Sequence, residues 1–151
     1  MKKFKMAMAL IGCGLMLASA NQVLAGGVGY IDYGKIQEGY PLAQQAIKEV
    51  DAKAVELQQF MVDKEKQYRA LDTPLKKQNF EDATSRELDI KQDEYARLRN
   101  QKEELIFNNI QAAAKKVLVE QNLDAIVDYR VIFVGGVDVT EQVLQKLRAG
   151  N

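Results

Sequence analysis

Side chains that commonly carry out catalysis are scarce in this sequence. The 151 residues include no histidine and a single cysteine, Cys13. Gly135-Gly136 is the only paired glycine after the first 30 residues, and it lacks the GxGxxG or GxxxxGK[ST] context of a phosphate-binding loop. The carboxylates are numerous, but most lie in a long charged stretch, where solvated ion pairing is their usual role. The sequence therefore predicts no enzyme and no metal or cofactor site.

A heptad pattern organises the charged stretch 41–121. Its first part has apolar residues in alternating steps of four and three, with one charged member: Ala43, Ile47, Val50, Ala54, Leu57, Met61, Lys64, Tyr68 and Leu71. A strict 3.5-residue repeat keeps one narrow stripe against a partner helix. We therefore predict a coiled-coil arm. Lys64 either loosens this seam or packs its stem and extends its ammonium to water.

A turn is predicted where the heptad pattern stops. Thr73 can cap the free amides of a new helix, and Pro74 suits the first helical position, where no amide donor is required. The chain then folds into an antiparallel hairpin, residues 41–104, with residue 73−k opposite residue 73+k. At about 1.5 Å per residue the arm extends roughly 45 Å.

The end of the return helix differs from the arm because it is apolar around most of its circumference from Leu105 to Val119. A helix of this kind must be buried on all sides. The rest of the chain offers little cover, so we predict an obligate homo-oligomer. Its shared core is predicted to contain Ile106, Phe107, Ile110, Ala113, Val117, Ile126, Val127 and Ile132.

The remaining segments predict a small body, formed by residues 26–40 and 105–151. Short runs of β-branched and aromatic residues indicate strands at Val28–Asp32, Leu123–Tyr129 and Val131–Val134. A final amphipathic helix follows Asp138, with Val139, Val143, Leu144 and Leu147 on its apolar face. The predicted fold class is α+β, mostly α, with a long helical hairpin on a small β-sheet or barrel.

Residues 1–25 have the pattern of a signal peptide, with a basic start and an apolar run followed by small residues. Cleavage is predicted after Ala20 or Ala25, and we favour Ala25. Alternatively, Leu10–Cys13 resembles a lipobox, which would lipidate Cys13. Export to the periplasm follows from the first interpretation, and membrane anchoring from the second.

The net charge limits the kinds of partner. Removing Lys2, Lys3 and Lys5 with the signal peptide leaves 18 basic residues against 21 acidic ones, since the full chain has 21 of each. A mildly acidic chain lacks the basic face that nucleic acids require. We therefore expect no nucleic-acid partner.

The order of the segments resembles the Skp (OmpH) family of periplasmic chaperones. The resemblance covers the whole chain after residue 25 and depends on Val28–Asp32, Gly39–Pro41, Leu123–Asp128 and Gly135–Thr140 around the charged hairpin. It implies a jellyfish-like homotrimer with a small β body and three helical tentacles. It also implies an ATP-independent holdase that keeps unfolded outer-membrane proteins in a cavity between the arms.

The charge near the tip departs from the family pattern, which is strongly basic. From Val62 to Lys91 the chain has seven basic and seven acidic residues. A lipopolysaccharide site is therefore not expected, although Lys76 and Lys77 are candidates for transient contact with lipid of the inner membrane.

Client binding by such a chaperone needs many weak apolar contacts. The candidate residues near the tip are Phe60, Met61, Tyr68, Leu71, Leu75 and Phe80. Met61, Tyr68 and Leu71 belong to the seam and are also expected to fill it, so Phe60, one step away, is the stronger candidate. The competing function is a structural or adaptor coiled coil of the cell envelope, anchored through Cys13.

Overall fold

The described part of the chain is residues 26–150 of a computed structural model. It is mostly helical and contains one small sheet. The elements are β1 (Gly27–Ile31), α1 (Tyr33–Gly39), α2 (Pro41–Arg69), α3 (Pro74–Glu120), β2 (Leu123–Asp128), a 3₁₀ turn (Tyr129–Val131), β3 (Val137–Asp138) and α4 (Thr140–Ala149). The predicted signal peptide, both cleavage sites and Cys13 lie outside this range.

Helices α2 and α3 form an antiparallel hairpin of unequal lengths. Pro41 begins α2 and Pro74 begins α3, each at a position where a missing amide has no cost. Thr73 caps α3 by accepting a hydrogen bond from the Lys76 amide, as predicted. With 29 and 47 residues, the helices measure about 44 Å and 70 Å. The longer helix therefore continues past the base of the arm into the body.

The sheet is entirely parallel, with strand order β2-β1-β3. Gly29 lies opposite Ile126 on one side and Val137 on the other. A side chain at Gly29 would collide with Leu123, because an added Cβ would lie 2.7 Å from its Cδ1. The glycine thus permits β1 to run through the centre of the sheet.

The prediction of a strand at Val131–Val134 is wrong. The chain instead makes the 3₁₀ turn at Tyr129–Val131, and the third strand is Val137–Asp138. Gly135 and Gly136 both have positive φ, 85° and 89°, which turns the chain so that β3 reaches β1. A β-branched run becomes a strand only where another strand offers hydrogen bonds, and none among residues 26–150 does so at 131–134.

The core lies between the sheet, α1, α4 and the bases of α2 and α3. Its buried apolar members are Ile31, Ile36, Tyr40, Ala43, Ala46, Ile106, Ile110, Ala113, Val117, Leu123, Val139, Val143, Leu144 and Leu147. The apolar face predicted for α4 is therefore confirmed. Thr140 is buried too, but its hydroxyl accepts from the Asp32 amide at 3.0 Å and donates to Asp138 at 2.6 Å.

The apolar end of α3, from Leu105 to Val119, is called its root. Half of the predicted oligomer-core residues lie on a face of this root that needs no cover from another copy, so the prediction is wrong for them. Ile106, Ile110, Ala113 and Val117 are at most 4% exposed within one chain. They are covered because α4 and the base of α2 pack against the face that they share. One chain thus closes its own core on that face.

The other predicted oligomer-core residues are more accessible. Ile126, Val127 and Ile132 are half-buried, and Phe107 is 54% exposed. Beside them, the segment Val131–Val134, which fails to form a strand, leaves Val131, Phe133 and Val134 in solvent, and Phe133 is fully exposed. Val137 of β3 is exposed as well.

Candidate functional site on the helical arm

Four ion pairs cross between the two helices of the arm. These pairs are Glu49–Lys102, Lys53–Glu94 at 3.1 Å, Glu56–Lys91 at 3.3 Å and Lys64–Glu87 at 2.6 Å. Lys91, Glu94 and Lys102 of α3 thus pair with α2, because their long side chains reach the facing helix.

The ion pairs across the helices, and the pair of Lys53 with Glu56 within α2, perturb the acids and bases that form them. The hydrogen bond from Lys102 lowers the pKa of Glu49, and the hydrogen bond from Lys53 lowers the pKa of Glu56. The same contact with Glu56 raises the pKa of Lys53. Each shift favours the charged form, so the pairs are intact at neutral pH.

The apolar contact between the arm helices is thin. Phe60, Tyr68 and Phe80 are only half-buried, and the Tyr68 and Phe80 rings lie 6.3 Å apart between centroids. The seam around Met61 differs from the prediction. Met61 is 52% exposed, whereas Phe60 turns toward α3, because the stripe on α2 moves by one residue at this point.

Lys64 does not extend its ammonium to water, contrary to the sequence interpretation. Its side chain is 19% exposed and pairs with Glu87 on α3. The ammonium also lies 5.2 Å from the Phe60 ring centroid and 5.5 Å from that of Phe80. A cation over two ring faces is attracted by both, so Lys64 joins the helices at a position where an apolar seam residue was expected.

An open groove lies near the tip of the arm, where these side chains meet. We call it the tip groove. It has a volume of about 430 Å³ and is lined by Phe60, Met61, Lys64, Glu65, Tyr68, Phe80, Glu81, Thr84, Ser85 and Leu88. Tyr68 forms part of its wall, and a hydrogen bond to the Glu81 carboxylate raises the pKa of its phenol.

Four of the six candidate client-binding residues meet in the tip groove. Phe60, Met61 and Tyr68 come from α2, and Phe80 comes from α3. Leu71 and Leu75 are not part of it. Leu71 is half-buried after the end of α2, and Leu75 is 67% exposed at the start of α3.

The sequence prediction missed Leu88 and Thr84 as groove residues. Both side chains are half-buried, whereas the neighbouring Ala83 is exposed. The steps from Phe80 to Thr84 to Leu88 are four and four, a spacing that keeps all three on one face of a helix and could have identified them.

Thr84 is the weak point of the arm interface. Its hydroxyl oxygen is buried and has no hydrogen-bond partner within residues 26–150. A buried polar group without a partner costs about 1–3 kcal/mol. The arm thus carries a local destabilisation in the wall of the tip groove.

A second groove lies at the base of the arm, and we call it the base groove. It has a volume of about 210 Å³ and is lined by Tyr33, Gln37, Ala43, Ala46, Ile47, Val50, Asp51, Tyr95, Arg99, Lys102, Glu103 and Ile106. Ile47 is 41% exposed there. Burial, and secondarily the charge of Glu103, raises the pKa of Tyr33, whose ring joins α1 to the arm.

The charges near the tip largely neutralise one another. Three ion pairs join residues that are three or four positions apart in the sequence: Lys66–Asp63, Arg69–Glu65 and Lys76–Asp72. Lys77 lies over the Tyr68 ring, 5.3 Å from its centroid. In the described range, no helix is long and apolar enough to cross a membrane, and no cluster of three or more potential metal-ligating His, Cys, Asp or Glu side chains occurs.

Comparison with protein families adds an independent finding to this geometry. A family model described as outer membrane protein (OmpH-like) matches residues 27–147, which is most of the chain. The chain belongs to the OmpH-like family. The match includes both grooves and the body, and this membership supports a chaperone role for the chain.

The fold of the OmpH-like chain is also found in a solved structure. The crystal structure of a candidate outer membrane chaperone (OmpH-like) from Caulobacter crescentus CB15 matches with a TM-score of 0.52 and 13% sequence identity. The match covers 83% of this chain and 86% of the other. At this identity the likeness concerns the fold alone. No curated protein matches the chain.

The unpaired hydroxyl of the OmpH-like chain gives a first prediction. Replacing Thr84 with valine, which keeps the shape, should stabilise the arm by about 1 kcal/mol, because the buried oxygen is removed. Hydrogen exchange of the α2 amides should become slower. The matched control is Thr140→Val, which should destabilise the body because Thr140 bonds both Asp32 and Asp138. Equal effects of the two substitutions would contradict this account.

The lowered carboxylate pKa values give a prediction about pH. A carboxylate with a lowered folded-state pKa stabilises the fold above its ordinary pKa, here 4.5, and loses that effect as the pH falls through the lowered value. Glu56→Gln should therefore speed up exchange of arm amides at neutral pH. The difference from wild type should shrink as the pH falls below 4.5. A difference that stays constant with pH would rule out the ion pair as its cause.

Proposed function

We propose that the chain is an ATP-independent periplasmic holdase, which binds unfolded outer-membrane β-barrel proteins between the arms of a homotrimer and prevents their aggregation. The proposal includes export through a signal peptide at residues 1–25. We assign no catalytic step to the chain, since it has no histidine and no phosphate-binding glycine loop.

The observation that carries the proposal is the tip groove. Its apolar lining combines aromatic rings with the thioether of Met61, a flexible and polarisable group that suits varied partners. The groove is open, so a client segment can enter and leave without any large rearrangement of the arm. Many weak contacts of this kind, each worth about 1 kcal/mol or less, can hold an unfolded chain without fixing it.

The charge arrangement supports clients that are recognised by apolar surface. Lys64 is paired with Glu87, Arg69 with Glu65, and Lys76 with Asp72. The electric fields of the two opposite charges in a pair largely cancel each other, and salt screens what is left beyond the Debye length, which is about 8 Å at physiological ionic strength. We therefore propose no lipopolysaccharide site at the tip.

The surface of the body supports assembly into an oligomer. Three apolar side chains that are close in sequence are exposed: Val131, Phe133 and Val134. Strand β2 lies at the edge of the sheet, and within residues 26–150 it pairs only with β1. Soluble monomers rarely leave a large apolar patch next to a free strand edge. A second and third copy that cover this surface would explain both features, and a trimer is the assembly implied by the family resemblance.

The holdase proposal is tested by light scattering. An outer-membrane β-barrel protein diluted from urea should stay in solution with a nearly stoichiometric amount of trimer. The variant Met61→Asn should require several times more protein, because an exposed apolar contact of the tip groove is lost. The control Ile90→Asn removes an equally exposed side chain that lines neither groove, and it should behave as wild type.

Failure of the wild-type protein to reduce scattering at any ratio would exclude the holdase function. Circular dichroism of the three proteins should show the same helix content. A loss of helix in Met61→Asn alone would mean that the reduced activity reports unfolding rather than lost contacts.

The trimer is tested by sedimentation velocity at micromolar concentration. The wild-type protein should sediment as a trimer, and Phe133→Asp should sediment as a smaller species, since a charge would be placed in the proposed apolar interface. The control Val55→Asp, on the exposed surface of the arm, should leave the trimer intact. A stable, folded wild-type monomer would contradict the proposed assembly.

A further inference from the structure

The two grooves of the arm repeat the same positions of the heptad pattern. On α2, four lining positions of the base groove have a counterpart in the tip groove 14 residues later: Ala46 and Phe60, Ile47 and Met61, Val50 and Lys64, Asp51 and Glu65. On α3 the same interval relates three residues of the tip groove to three of the base groove: Glu81 and Tyr95, Ser85 and Arg99, Leu88 and Lys102. The grooves are thus separated by two heptads on both helices.

This interval places both grooves on one side of the hairpin. Fourteen residues make nearly four helical turns, and a straight helix drifts only about 20° per heptad. Ile47 and Met61 therefore point in similar directions, as do Glu81 and Tyr95 on the facing helix. Ile90 lies half a turn away from these lining positions and lines neither groove.

The distance between the grooves matches an extended peptide. At about 1.5 Å per helical residue, 14 residues separate them by roughly 21 Å. An extended chain rises about 3.3 Å per residue, so roughly six residues cover this distance. Six is an even number, and side chains an even number of residues apart lie on the same face of an extended strand.

The rims of both grooves are largely neutralised by their own ion pairs. Lys102 pairs with Glu49 and Arg99 with Glu103 at the base, whereas Lys64 pairs with Glu87 at the tip. Both grooves leave apolar side chains accessible, Ile47 in one and Met61 in the other. Their chemistry therefore suits an apolar segment without strong charge.

We propose that the two grooves act together as one docking surface for a single extended segment of an unfolded protein, with apolar anchor residues about six positions apart. This inference rests on the proposed holdase function and specifies what the arm recognises. A transmembrane β-strand has about 9–11 residues and alternates apolar with polar side chains, so one strand is long enough to occupy both grooves. Simultaneous occupation strengthens binding because the second contact is intramolecular.

The test uses synthetic peptides of eleven residues that differ only in anchor spacing. One peptide carries two leucines six positions apart in a Ser/Thr background, a second carries them three apart, and a third has one leucine. Titration calorimetry with the full assembly should show at least tenfold tighter binding of the first peptide. Equal affinities for the first two peptides would overturn the proposal.

Two single variants test whether both grooves contribute. Ile47→Asn alters the base groove and Met61→Asn the tip groove, and each should reduce the affinity of the six-spaced peptide to that of the one-leucine peptide. The double variant should bind the six-spaced peptide more weakly than either single variant, because neither groove then accepts a leucine. The control Ile90→Asn should bind as wild type. A single variant that binds the six-spaced peptide as tightly as wild type would overturn the joint surface.

These outcomes are distinct from failure of the holdase function. If the wild-type protein does not reduce aggregation of a β-barrel protein, the function itself fails. If it does, but peptide spacing has no effect, only the paired docking surface fails. Sedimentation of Ile47→Asn should show the wild-type assembly, and a change of oligomeric state would mean that this face contacts another copy instead, which also overturns the proposal.

Discussion

The structure depends on how the hairpin of α2 and α3 is stabilised, because the two helices bury little apolar surface between them along the arm. Phe60, Tyr68 and Phe80 are only half-buried, so burial alone gives the arm little stability. Ion pairs that cross between the helices supplement it, and each pair exposed to solvent contributes modestly. The hairpin is secured chiefly at one end, where the root of α3 is buried in the body.

This arrangement relates the anchoring of the arm to its proposed function. Ile106, Ile110 and Val117 fix α3 among α1, α4 and the base of α2, so the arm can project without a core of its own. The same lack of a core leaves open grooves between the helices. A thicker apolar seam would make the arm stiffer, but it would also fill the space in which a client side chain could lie.

In the body, one chain buries part of its apolar surface and leaves the rest exposed. The face of α3 that packs against α4 is dry, and its side chains need no second copy. The segment from Val131 to Val137 has no strand partner for most of its length and keeps Phe133 in solvent. One chain therefore stabilises its own core, while its remaining apolar surface is available for assembly.

The sequence by itself determined the hairpin, because local signals specify it. Pro41, Thr73 and Pro74 fix where the helices begin, and the heptad pattern makes them pair. The family resemblance rests on the same local motifs in order. The final helix was also predictable, since Val139, Val143, Leu144 and Leu147 show its buried face without reference to any other element.

Only the tertiary structure decided which side chains meet. The one-residue shift that exposes Met61 and turns in Phe60 depends on how α3 faces α2, and the pairing of Lys64 with Glu87 joins residues 23 positions apart. The fate of Val131–Val134 depended on whether a strand lay beside it, and the burial of Ile106 depended on where α4 docks. Contacts between distant segments follow from packing in three dimensions, which neither propensity nor periodicity encodes.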